Sequence, residues 1–240
     1  MKHPLRLMVA LVCVALLSPA QSRAQEGMWL FEDPPLDRIA RATGSMPSPE
    51  WLEGVRKSSL RFGRGGSGSF VGPNGLAISN HHVVRSALVR MSTDELDIMR
   101  DGYLATSRED ELPMPDYTVR ALWEIEDVTQ RVKDAGAGMD AGDAERARRA
   151  EIARIESETG DASGLECTVI TLYNGGLYHL YSYKKWDDVR LVWAPEGAIA
   201  HFGGDVDNFR YPRYCLDAAI VRVYENDEPV SPEHYLEFSQ

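Results

Sequence analysis

Cysteine is scarce. The 240 residues hold three, and one of them, Cys13, sits inside an N-terminal apolar run. A small disulfide-stapled fold is thereby excluded, and Cys167 and Cys215 are too few by themselves for a structural zinc site. In an exported protein those two could form one bridge, but buried free thiols are equally ordinary, and the sequence leaves both readings open. Membrane-spanning runs are missing as well: Leu7 to Leu17 is apolar for eleven residues, against the roughly 20 that cross a bilayer. Basic charge is also short, with 26 Lys and Arg against 37 Asp and Glu. That balance excludes nucleic acid as the expected partner, because phosphate backbones are held by clustered Lys and Arg. Nothing repeats internally.

What is present begins with an export signal. Lys2 and Arg6 flank the apolar run, and Ser22-Arg23-Ala24 offers the small residues that a signal peptidase requires, so cleavage is expected after Ala24 and the mature protein in the periplasm or outside the cell. Removing residues 1–24 takes away three basic residues and no acid. The remaining acidity favours solubility and says little about a ligand, since charge within a cleft can oppose the net charge. Residues 25–240 are enough for one domain with a substantial core and no membrane span.

Along that domain, Glu26 to Pro49 is rich in proline and reads as an irregular arm, and Trp51 to Lys57 as a short helix. Ser67 to Val71, the turn Gly72-Pro73-Asn74-Gly75 and Leu76 to Ser79 form a hairpin with Pro and Gly where a tight turn requires them. Residues 83–101 have a helical pattern, with N-cap chemistry in Ser92-Thr93-Asp94-Glu95. Val119 to Glu124 reads as a strand. About 127–158 the chain turns rich in Ala, Arg and Glu, predicting a pair of helices broken near Gly136-Ala137-Gly138. Four strands follow: Glu166 to Tyr173, Leu177 to Lys184 across the turn Asn174-Gly175-Gly176, Val189 to Ala194, and Ala218 to Tyr224. The expected fold class is mostly β, an antiparallel barrel with helical excursions.

Two distant segments carry the chemistry. Ser79-Asn80-His81-His82 follows a predicted strand, and Asp217 precedes one. A serine hydroxyl attacks poorly until a base takes its proton, and the imidazole that does so must be held in one tautomer by a buried carboxylate. His82 and Asp217 are the candidate base and orienter. In the chymotrypsin-like order His and Asp come before Ser, and the 23 residues after Asp217 leave little room for the nucleophile, so these residues predict an enzyme class and a piece of it.

Gly27-Met28-Trp29, Asn80-His81-His82 and Gly203-Gly204-Asp205-x-Asp207-Asn208-Phe209-x-x-Pro212-Arg213 together resemble the S46 family of bacterial dipeptidyl peptidases, over nearly all of residues 26–240. The resemblance implies secreted or periplasmic serine exopeptidases. It implies the first barrel of a chymotrypsin-like double barrel, with the serine segment and a helical cap domain later in such chains. It makes His82 and Asp217 the catalytic pair and gives Asn208 and Phe209 the substrate's free amino terminus, through an amide oxygen and an aromatic face. Peptides with a free N-terminus are the implied partners, a homodimer is compatible with the complete protein, and neither cofactor nor metal is implied. The chain departs from the pattern in three places. Phe209 stands for a Trp, Ser67 and Val83 stand where relatives commonly carry Cys, and Tyr214-Cys215-Leu216 stands for His-Thr-Gly, which puts specificity in question.

Rival motifs fare worse. The glycines of 63–75 lack the Gly-Lys-Ser/Thr of a phosphate loop. Asp205-Val206-Asp207-Asn208 opens like a calcium loop, but Arg210 and Leu216 occupy the positions of its Gly and Glu. Ser67 between two glycines precedes His82, the wrong order for a nucleophile in this fold. Two alternatives stay open: a non-catalytic remnant or peptide-binding protein, and a metal-dependent hydrolase using His81, His82 and His201.

Overall fold

The computed structural model describes residues 29–63, 65–204 and 214–237. The predicted signal segment and the amine-binding candidates Asn208 and Phe209 lie outside these residues. Two units are distinguished, Met1–Pro35 and Leu36–Gln240. In the first, Asp33 donates its backbone N–H to Leu30 O (3.2 Å) in a single turn. Everything below belongs to the second.

It opens with α1 (Leu36–Thr43), where an irregular arm was expected. Leu36, Ile39 and Ala40 share one helical face, Asp37 and Arg41 complement the helix dipole, and the prolines lie before and after the helix instead of inside it. Helix α2 (Pro49–Ser58) starts at Ser48, whose hydroxyl accepts the Trp51 N–H at 3.1 Å, with Pro in its first turn. Strands β1 (Ser59–Phe62), β2 (Gly66–Phe70) and β3 (Leu76–Ser79) follow as a meander. The helical pattern of 83–101, with its N-cap chemistry at 92–95, is two helices: α3 (His81–Met91) and α4 (Ile98–Asp101). The polar segment between them ends one helix and starts the next. Ser92 donates to Leu88 O (2.9 Å), Thr93 Oγ1 accepts the Leu96 N–H, and Asp97 caps α4 through the Arg100 N–H at 3.0 Å.

Short strands β4 (Tyr103–Leu104) and β5 (Leu112–Pro113) precede β6 (Val119–Asp127). Helices α5 (Thr129–Ala135) and α6 (Ala141–Ser163) break where the glycines predict, and Asp140 caps α6 by accepting the N–H groups of Gly142 and Asp143. Then come β7 (Glu166–Leu172), β8 (Leu177–Trp186), β9 (Asp188–Ala194), α7 (Gly197–Ala200), β10 (Ala219–Glu225) and β11 (Glu228–Pro229). The β7–β8 connection is a four-residue loop closed by Leu172 opposite Leu177, with Tyr173, Asn174 and Gly175 all at positive φ.

The fold class is mostly antiparallel sheet with helices, in the order β4-β9-β10-β3-β2-β1-β6-β8-β7, with β5 beside β9 and β11 beside β10. Strands β8 and β9 lie on opposite sides of that order, yet the single residue Asp187 joins them. The sheet therefore rolls until its two sides meet. The buried side chains agree, because Leu60, Phe70, Val119, Trp186, Leu191 and Val221, from six strands, belong to one apolar core. Phe70 meets Trp186 edge to face, with ring centroids 5.6 Å apart. A second, smaller core of Val128, Val132, Ile155, Val169, Tyr178 and Leu180 seats the α5–α6 pair on the outer ends of β7 and β8. No helix among the described residues is long and apolar enough to cross a membrane.

Candidate active site

Strands β3 and β10 are neighbours, and their register pairs Ser79 with Ala219. One step past that pair come Asn80 and Ala218, so the first residues of α3, His81 and His82, start beside Asp217. The sequence separates His82 from Asp217 by 135 residues, and the ladder removes that distance.

His82 Nδ1 lies 2.7 Å from Asp217 Oδ2, and the His82 backbone N–H donates to Asp217 Oδ1 at 3.0 Å. Asn80 adds its side-chain amide, donating to the Asp217 carbonyl oxygen (2.9 Å) and to Oδ2 (3.3 Å). The carboxylate is thus gripped through both oxygens. Its side chain is only 7 % exposed while that of His82 is 55 % exposed, so a buried acceptor orients an accessible imidazole. A carboxylate only accepts, so Nδ1 carries the proton and Nε2 faces outward with a free lone pair. The role of Asn80 was not foreseen: Asn between a strand and a helix suggests an N-cap, but this side chain makes no cap bond and serves Asp217 instead.

His81 takes the opposite environment. One step around α3 from His82, it is 2 % exposed, and its Nε2 has no hydrogen-bond partner among the described residues. Burial lowers its pKa below the usual imidazole range, opposed by the negative charge of Asp217 and reinforced by Arg85, His82 and His201. A cavity of about 170 Å³ is bounded by His81, His82, Arg85, His201, Phe202 and Asp217 among others. The three histidines of the metal alternative are all among its lining residues. No group of three His, Cys, Asp or Glu side chains among the described residues is arranged to hold a metal ion.

Cys167 and Cys215 are both free, which settles the open question of a bridge; Cys167 Sγ lies 3.4 Å from Ser182 Oγ instead. Beside the dyad the surface is apolar: Ile199, Phe202 and Leu216 are 43 %, 62 % and 44 % exposed, with the Leu216 N–H bonded to Ile199 O at 3.0 Å. On the other flank β2 runs against the start of α3. A Cβ on Gly66 would lie 2.2 Å from Val83 Cγ1, so only glycine admits this approach. Ser67 and Val83, the two positions of the Cys departure, thus fall where β2 and α3 meet, and packing closes the contact.

Comparison with known proteins gives a consistent result. The sequence model of the Peptidase S46 family matches residues 24–240. Dipeptidyl-peptidase 7 of Phocaeicola vulgatus is 32 % identical over 240 residues, covering 93 % of this chain and 33 % of that protein. The Asp/Glu-specific dipeptidyl-peptidase of Flavobacterium psychrophilum is 30 % identical, covering 93 % of this chain and 34 % of its own length. Among solved structures, Porphyromonas endodontalis DPP11 in complex with the dipeptide Arg-Glu superposes with a TM-score of 0.74 at 25 % identity, over 88 % of this chain and 34 % of that one. The chain spans about a third of the length of these relatives.

Proposed function

The chain belongs to the peptidase S46 family, and on that premise we propose that it forms the His- and Asp-bearing part of an exported serine-type dipeptidyl peptidase, which releases dipeptides from peptides with a free N-terminus. The observation that carries this reading is the 2.7 Å contact between His82 Nδ1 and a buried, doubly gripped Asp217. Among the described residues no serine hydroxyl bonds to the His82 ring.

In the assembled site His82 Nε2 takes the proton of the serine hydroxyl as that oxygen attacks the peptide carbonyl. Asp217 keeps the ring in the required tautomer and stabilises the imidazolium that forms. The same Nε2 then returns the proton to the departing amine, leaving an acyl-enzyme that water opens in the reverse sequence. Asn208 and Phe209 hold the substrate ammonium, the amide oxygen as acceptor and the ring as a cation-binding face, and Phe in place of an indole gives a weaker grip. Export by residues 1–24, with cleavage after Ala24, belongs to the same proposal.

Turnover of dipeptidyl p-nitroanilides by the full-length gene product, abolished by His82→Ala, is the expected result. Unaffected turnover in that variant would remove His82 from the mechanism. Turnover inhibited by a chelator would favour the metal alternative.

A further inference from the structure

A second and larger cavity, about 620 Å³, lies along α3 between that helix and the β1–β2 turn, bounded by Gly66, Val83, Ser86, Arg90, Asp116 and Tyr117 among others. We propose that it receives the part of the peptide beyond the scissile bond, the departing segment, with Arg90 set to bind its terminal carboxylate; this rests on the dipeptidyl peptidase reading above.

Helix geometry places the cavity. With about 100° per residue, Arg85 and His81 lie about 60° and 100° to one side of His82, and Ser86, Arg90 and Val83 lie about 40°, 80° and 100° to the other. The first pair borders the 170 Å³ cavity together with His82 itself, the second set borders the 620 Å³ one, and by its angle on the helix His82 forms the ridge between the two sets. An imidazole that protonates a leaving amine must have the scissile bond above it, so the substrate crosses this ridge with one part on each side. The two parts differ in size. A dipeptidyl unit is bounded, whereas the departing chain is open-ended, and the smaller and larger cavities divide in the same sense.

The far end of the groove supplies a cation. Arg90 is eight residues beyond His82, about 12 Å along the helix axis, which an extended chain covers in about three to four residues. One Arg90 nitrogen donates to Pro115 O at 3.3 Å, which fixes the guanidinium at the rim with further donors to spare. A departing tripeptide would therefore bring its carboxylate to Arg90. Along the groove Gly66 lets Val83 close against β2, and Tyr117 OH donates to Val83 O at 3.1 Å, pinning the same wall.

The test compares three substrates of the full-length protein sharing the same first two residues: a dipeptidyl p-nitroanilide, a pentapeptide acid and the pentapeptide amide. Ser86→Trp, on the exposed face of α3, should fill the groove and lower the ratio of kcat/KM for the pentapeptide to that for the anilide about tenfold. Arg90→Ala should erase a preference for acid over amide of about two- to five-fold, the range of an exposed ion pair. Ratios unmoved by both variants would overturn the proposal. Failure of the wild type to cleave any of the three would instead sink the dipeptidyl peptidase reading, and the groove would then be judged by titrating the tripeptide Ala-Ala-Ala. Binding to wild type that Ser86→Trp abolishes would support it. Equal or absent binding would not.

Discussion

Asp217→Asn isolates the orienting role of the carboxylate, because the replacement keeps size and shape while exchanging one acceptor oxygen for a donor. In the native arrangement Oδ1 accepts the His82 backbone N–H at 3.0 Å, and Oδ2 faces both the His82 ring at 2.7 Å and the Asn80 amide at 3.3 Å. With Asn in place, one side-chain atom must become NH2. If it occupies the Oδ2 position it confronts the Asn80 amide and can bond the ring only when Nδ1 is deprotonated, which moves the imidazole proton to Nε2. The opposite flip sets the NH2 against the His82 backbone N–H. The first arrangement leaves the outward nitrogen without a lone pair, so the ring no longer functions as a base. Loss of the correct tautomer at such a dyad is associated with a fall in kcat of about 10⁴, equivalent to about 5.4 kcal/mol of transition-state stabilisation. The measurement is kcat for a dipeptidyl p-nitroanilide by the full-length protein at pH 7–8, with thermal melting to verify folding. A folded variant within tenfold of wild type would refute the reasoning, since it would mean that the 2.7 Å contact does not set the tautomer in the working enzyme.

Three further outcomes follow from the same geometry. Glu111 is 5 % exposed and accepts from Arg222 Nε at 2.9 Å and from Tyr224 OH at 2.7 Å, while burial, and after it the bond to Glu111, pushes the Tyr224 pKa up to about 12; Glu111→Ala should cost about 3–5 kcal/mol in denaturant melts by stranding the Arg222 guanidinium, and a loss under 1 kcal/mol would contradict this. His81 has a depressed pKa when folded, so from its unfolded value near 6.5 down to the folded value the unfolded state binds the extra proton; stability should fall as pH drops through that window, and His81→Phe should flatten the profile of melting temperature against pH. Residues 25–240 expressed alone should associate and bind a hydrophobic dye through Ile199, Phe202 and Leu216, whereas a monomer with a sharp, high-temperature transition would favour the non-catalytic, self-sufficient alternative.

The sequence disclosed most where a residue type has one local use. Gly and Pro in 72–75 mark the β2–β3 turn, and the glycines near 136 mark the α5–α6 break, because few residues tolerate those backbone conformations. It disclosed less where structure depends on distant partners. Strand β1 has four residues and no turn signature of its own; it exists because β2 and β6 pair with it on either side. Strands β4 and β5 are two residues each and are held by the edge of β9. The break within 83–101 was half legible: the N-cap chemistry of 92–95 marked a helix start, but Ser92 closes the preceding helix and the cap of α4 is Asp97. At the site, His82 and Asp217 were legible as types beside strand ends, and the resemblance paired them. Asn80 had no such signal, since its partner is 137 residues away.

What brings the dyad together is strand register, and this explains why so little of the surrounding sequence need announce it. Ser79 opposite Ala219 fixes how far the segments beyond β3 and β10 overlap. A slip of one residue would turn every side chain of β10 to the other face, exposing Val221 and Val223, which are fully buried, and burying Arg222 without its Glu111 partner. The same slip would carry Asp217 out of reach of both the ring and the backbone N–H of His82. The apolar core that penalises the slip therefore also positions the site. Chemistry at the rim of this barrel is specified by Val221 and Val223 as much as by the two residues that would perform it.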